Sequence, residues 1–315
     1  MSASAFDGIV VANAPVSYGA FEVTVGIDPN VPDGDSILDE VAAAGYAGID
    51  LGPVGYLGDG EELGRKLQVR GLGLAGAYLE LPFADEAALE SALPELDAML
   101  DTFDAVSALG LGPAPRPTLA DLGVGAAAEH RRRMPGLGAR RPSSGYTPIQ
   151  WDAFAYGVSS VVAHCRKRGY EPAFHNETGT FLEAPAEIDR LIELTDIGVC
   201  LDTGHLLVGG GDPVECLERW SDRINHVHVK SADLARFEGV VEQGLPTTAI
   251  WEHEVFPPLG HGDLDVDRLL AGLTDARYAG WLIVEQDIFP QTAERFARAA
   301  TDQRANREYL KERGL

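Results

Sequence analysis

Four residues able to bind a metal stand at or beside the ends of apolar runs: His175 in P-A-F-H-N-E, Asp202 after I-G-V-C-L, His228 in I-N-H-V-H-V-K and Glu285 after W-L-I-V. Taken singly, each reads as a core histidine or a helix-capping carboxylate. Together they are harder to explain, because buried ionisable groups are costly unless they are paired or metal-bound. Two imidazoles and two carboxylates brought to one point would hold one divalent cation. The donor set suits Mn, Co, Fe or Zn better than Ca, and Mg is admissible.

The neighbours of these residues carry further chemistry. Period two places His175 and Glu177 on one face of their strand, so Glu177 is either a rival ligand or a partner acting as acid or base. The same period puts His226, His228 and Lys230 on one face. His228 is the expected ligand because it lies closer to the strand's carboxyl end.

Residues this far apart need a scaffold that collects strand ends. Apolar runs at 8–17, 46–51, 72–79, 117–122, 172–177, 197–201, 224–230 and 281–285 predict eight strands. Helical patterns with caps and terminal glycines fall between them, at 33–45, 61–70, 86–109, 151–168, 185–194, 213–220 and 266–273, and 293–313 closes the chain. The stretch 86–109 is expected to break or restart near Pro94. This alternation predicts an α/β fold, a single (β/α)8 barrel domain over 1–315, in which all strands deliver their carboxyl ends to one mouth. A doubly wound open sheet is the alternative, but it would not need eight units.

Two long connections interrupt the pattern, after strands four and seven. Residues 123–148 hold five arginines in H-R-R-R-M-P-G-L-G-A-R-R and read as a loop, either solvated or lid-like. Residues 232–262 read as a second irregular insertion whose Trp251, His253 and Glu254 could cover a substrate. G-H-G-D at 260–263 is expected to cap the last barrel helix.

The 49 acidic and 25 basic residues give a formal charge of -24, which disfavours nucleic acid and anionic membranes as partners. No apolar run is long enough to span a bilayer, and no Lys or Arg precedes Arg65 to form a signal peptide's charged region. Cys165, Cys200 and Cys216 show neither a disulfide framework nor a zinc-ribbon spacing, as expected of a cytoplasmic protein. Homo-oligomerisation is open. No G-x-G-x-x-G follows a strand, so no dinucleotide is expected.

L-D-T-G-H, R-I-N-H-V-H-V-K and G-W-L-I-V-E-Q-D resemble the xylose isomerase-like family of sugar isomerases, epimerases and dehydratases, most strongly from His175 to Asp287. F-H-N-E-T-G-T-F-L-E, A-G-Y-A-G-I-D-L-G and Y-A-G-W-L-I-V-E-Q-D resemble its inosose dehydratase branch. The resemblance implies one divalent metal, Mn first, on His175, Asp202, His228 and Glu285. It also implies a substrate contact at His205. Epimerases of this kind use opposed glutamates as acid and base, one of them at the position held here by His175. A metal-bound imidazole has no lone pair left at that nitrogen to abstract a proton.

Dehydration of a keto-inositol or keto-sugar is therefore the expected reaction. It has Glu177 and His205 for proton transfer and Lys230 to stabilise an enolate oxygen. The plain alternative for Lys230 is a salt bridge to a neighbouring carboxylate such as Asp233, and many family members carry Asp where this chain has Ser231. A ketose isomerase or epimerase, a lyase cleaving 3-oxo-glycosides (C-glycoside deglycosidase-like) and a non-catalytic metal- or sugar-binding module are the rivals. A metal-dependent endonuclease of the same fold is disfavoured by the acidity and by too few strand-end histidines.

Overall fold

Parallel strands alternate with helices along the computed structural model, which describes residues 6–123, 134–290 and 292–315. The strands are β1 Ile9–Asn13, β2 Gly48–Ile49, β3 Gly73–Leu74, β4 Gly76–Leu81, β5 Arg116–Asp121, β6 Ala173–His175, β7 Gly198–Asp202, β8 Ile224–Val229 and β9 Gly280–Val284. The helices are α1 Gly34–Ala44, α2 Gly60–Arg70, α3 Glu86–Ser107, α4 Leu137–Arg140, α5 Pro148–Lys167, α6 Pro185–Leu194 and α7 Thr203–Val208. They continue as α8 Pro213–Trp220, α9 Leu234–Glu242, α10 Ala249–Glu252, α11 Val266–Asp275 and α12 Glu294–Lys311.

Neighbouring strands run in the order β3-β2-β1-β9-β8-β7-β6-β5-β4, and all their pairings are parallel. The two ends of that order, β3 and β4, are separated in the chain by Ala75 alone. Ala75 bridges both sides: its N–H donates to the Ile49 carbonyl at 2.8 Å, and its carbonyl accepts from Arg116 N–H at 3.1 Å. Residues 73–81 thus act as one barrel strand, and the sheet closes as the eight-stranded TIM barrel expected from the sequence.

Small residues leave the barrel interior narrow at its amino-terminal end. Ala12, Ala14, Ala75, Trp281 and Ile283 form one buried cluster inside the barrel, with Trp281 toward its amino-terminal end. A Cβ on Gly48, Gly73 or Gly112 would lie 2.6–2.8 Å from the Trp281 ring, so these glycines make room for one indole that plugs the barrel floor. Trp281 Nε1 donates to the Pro113 carbonyl at 3.0 Å, satisfying its buried donor.

The outer helices follow their sequence signals. On α1, Ile37, Leu38, Val41 and Ala44 are buried, Asp33 caps Ser36 N–H, and Gly45 ends the helix at φ 84°. A Thr147–Gln150 capping box starts α5.

Three expectations need correction. The helix α3 runs unbroken through Pro94, because Glu90, whose carbonyl loses its partner there, is exposed and water can serve it. The 232–262 connection is not irregular, since it holds α9 and α10. Its G-H-G-D segment caps α9, with Asp263 Oδ2 accepting from Leu234 N–H at 2.8 Å, while Asp265 caps α11. Of the arginine-rich stretch, His130 to Arg133 lie outside the described residues. Arg140 pairs with Glu238 on α9.

Candidate active site

The motif L-D-T-G-H explains itself at the junction of β7 and α7. Asp202 is both the last strand residue and the helix cap: its Oδ1 accepts from His205 N–H at 2.8 Å, which leaves Oδ2 to the barrel mouth. Thr203 Oγ1 ties this junction to β8, accepting from Lys230 N–H at 2.9 Å and donating to the Lys230 carbonyl at 2.7 Å. Gly204 has no side chain because a Cβ would stand 2.6 Å from Lys230 Cγ. His205, one turn on, then faces inward.

The four predicted ligands converge. His175 Nε2 lies 3.3 Å from Asp202 Oδ2, and His228 Nδ1 lies 3.7 Å from that oxygen and 3.2 Å from Glu285 Oε2. All four side chains are buried. Despite these approaches, Asp202 Oδ2, His175 Nδ1 and both ring nitrogens of His228 make no hydrogen bond of good geometry. Buried polar atoms are normally satisfied, so this cluster asks for a further partner.

Lys230 completes the centre. Its Nζ lies 3.2 Å from Asp202 Oδ2, 3.0 Å from Glu285 Oε2 and 2.8 Å from Asp287 Oδ1. Lys230 thus makes the carboxylate salt bridge of the plain alternative above, with Asp287, Glu285 and Asp202 as partners, while Asp233 caps α9. Burial disfavours the ammonium, but Asp202, Asp287 and Glu285 outweigh it and hold Lys230 well above its ordinary value. Burial likewise disfavours charge on Glu285, yet His228 and Lys230 hold its carboxyl below the usual range. Asp202 and Glu285 both turn a carboxylate oxygen toward Lys230 and His228, and a divalent cation among them would share that negative charge. The donor set, its unpartnered atoms and this charge all fit such an ion.

His205 and Glu177 stand beside the centre. His205 Nε2 is 3.1 Å from Lys230 Nζ and 3.4 Å from Glu177 Oε2, and Thr178 Oγ1 lies 2.6 Å from Nδ1. Burial, then the Lys230 charge, pushes His205 well below its ordinary value, so the ring is neutral. An ammonium can only donate, so Nε2 accepts and the ring proton sits on Nδ1, facing Thr178.

Sequence reasoning missed two acids and one hydroxyl. Asp287 follows Glu285 at period two and pairs with Lys230. Burial pushes it up to about 7, with Lys230 opposing. Asp50 follows β2 just as Asp202 ends β7. Its Oδ2 and His226 Nε2 have no hydrogen-bond partner, and Asp50, His226 and His228 each offer an atom within 4.8 Å of the others. The third is Thr178, which no spacing rule marks. Of the second connection, Trp251 reaches the cavity, while Glu254 is held by Arg295 and Arg298 and His253 is exposed.

Asp50, His175, Glu177, His205, His228, Lys230, Glu285 and Asp287 line a cavity of about 630 Å³ at the barrel mouth. An eight-stranded barrel with buried acids, imidazoles and a lysine at the carboxyl ends of its strands is the architecture of an enzyme. The chain belongs to the xylose isomerase-like TIM barrel family, whose model matches residues 38–313.

An inosose dehydratase of Geobacillus kaustophilus is 31% identical over 268 residues, 84% of this chain and 83% of the relative. Among solved structures, a D-allulose 3-epimerase from Methylomonas sp. superposes with a TM-score of 0.63 at 14% identity, covering 98% of this chain and 99% of that one. The IolI protein, solved with a bound zinc atom, gives 0.64 at 13% identity over 95% and 97%. At these identities the two structures are likenesses of fold.

Proposed function

We propose that this protein is a metal-dependent lyase that dehydrates a polyhydroxylated cyclic ketone such as a keto-inositol. The observation that carries the reading is the placement of Glu177, His205 and Lys230 against the His175–Asp202–His228–Glu285 cluster. The likeness to an inosose dehydratase supports it, and the coarser class is a dehydratase or isomerase of this family. A divalent metal held by those four residues, with Mn first and Zn, Co, Fe or Mg as alternatives, would polarise the substrate carbonyl and acidify the neighbouring C–H.

The chain's own groups supply the rest. Lys230, next to Asp202 and Glu285, presents positive charge where an enolate oxygen develops. Glu177, beside His205, takes the α-proton. Glu177 and His205, 3.4 Å apart, together return a proton to the departing β-hydroxyl. The C–H pair becomes the new double bond, hydroxide leaves, and the transferred proton completes the water. His175 is a metal ligand here, so the two-glutamate exchange of an epimerase has no second base at its position.

Chelation is expected to abolish the growth of enone absorbance from 2-keto-myo-inositol, and Mn or Co added back should restore it. Undiminished activity after complete chelation contradicts the reading. Asp50, which offers an atom within 4.8 Å of His226 and His228, is expected to hold the His228 ring through its charge, as carboxylates near metal-bound histidines do. Asp50→Asn should therefore weaken metal binding by about 10–100-fold in a competition titration. Unchanged affinity removes Asp50 from the site.

A further inference from the structure

We propose that the cavity rim formed by Phe21, Val23, Val54 and Trp251 is a subsite for an apolar, ring-sized substituent carried by the substrate. The inference rests on the function proposed above. The ionisable groups discussed so far occupy the floor, where the strands end. The wall built by the loops after β1 and β2 and by α10 is of another kind.

Val23 and Val54 line this wall and remain 51% and 44% exposed. Their neighbours are fixed. Phe21, Trp251 and Phe289 form a three-ring cluster with centroids 5.3–5.6 Å apart, contributed by three separate connections. Phe21 and Trp251 are nearly buried and back the wall, while Val23 and Val54 leave apolar surface at the rim for an apolar group to cover. Glu22 also lines the cavity between Phe21 and Val23, so an anionic substituent such as a phosphate or sulfate is disfavoured.

Size points the same way. A keto-inositol has about twelve non-hydrogen atoms and fills on the order of 200 Å³ at protein-like packing. The cavity of about 630 Å³ leaves room for a second ring of similar bulk. A ligand class that fills both parts is a keto-sugar or keto-inositol bearing an aryl or comparable apolar group, with the polar ring on the floor and the substituent on the rim.

The test is calorimetric binding of phenyl and methyl 3-oxo-glucopyranosides to the metal-loaded protein, alongside a turnover assay with 2-keto-myo-inositol. Withdrawing on the order of 60 Å² of apolar surface from water corresponds to about tenfold in affinity, so the phenyl compound should bind at least about tenfold tighter. The double variant V23S/V54S, at two half-exposed positions, should bring the pair to within about twofold and leave the methyl compound unchanged. Equal affinities in the unmodified protein, or a ratio that survives the double substitution, overturn the subsite. A phenyl preference without turnover of any of the three compounds upholds the subsite and defeats the dehydratase reading. Turnover of the keto-inositol without a phenyl preference does the reverse.

Discussion

Replacing Lys230 with Met is expected to lower turnover by about 10²–10³-fold, the range seen when one preorganised charge stabiliser is removed, while metal binding is kept. The side chain is buried against Asp202, Glu285 and Asp287, and Met fills most of its volume beside Phe256, whose ring centroid is 5.2 Å from Nζ. Losing the ammonium leaves the ligand carboxylates with more negative charge to offer a cation, so metal affinity should hold or rise. Without metal, uncompensated carboxylates should destabilise the variant by about 3–5 kcal/mol. Added metal should therefore raise the melting temperature more in the variant than in the unmodified protein. Loss of metal together with activity would show that Lys230 supports the cluster and plays no electrostatic part in the reaction.

Asp202→Asn is expected to abolish activity, with at least about a 10³-fold fall, through a different route. Asn caps helices as well as Asp does, so the hydrogen bond to His205 N–H should survive and α7 should keep its place. The Oδ2 atom, which faces His175, His228 and Lys230, loses its charge. Metal affinity should fall by more than the 10–100-fold typical of residues that only orient a ligand. Circular dichroism should stay unchanged. A variant that keeps its metal and its turnover contradicts the place given to Asp202.

Much of this was legible in the sequence because its causes are local. A strand that ends in a carboxylate followed by T-G-H reads as a strand-to-helix junction, and each letter has a separate steric or hydrogen-bonding reason at β7 and α7. Eight alternating units fixed the barrel. They also brought together four residues separated by up to 57 positions between neighbours.

What escaped depends on the third dimension. Asp287 and Asp50 carry the same strand-end signal as Asp202. Only the closed barrel, however, brings β2 close to β8 and puts Asp287 next to Lys230 where Asp233 had been the candidate. Pro94 was misread because a proline's effect on a helix depends on whether the orphaned carbonyl meets water. The second connection was misread because α9 and α10 are short and draw their stability from packing Phe237, Val240, Ile250 and Trp251 together.

The most direct measurement is the reaction of 2-keto-myo-inositol with the Mn-loaded protein in D₂O, followed by mass spectrometry. Proton abstraction by Glu177, followed by loss of the β-hydroxyl, predicts a product lighter by one water. Its formation should stop when Glu177 is changed to Gln. Deuterium exchange without any loss of water, however long the incubation, would place the protein with the isomerases and epimerases, contradicting the elimination proposed here.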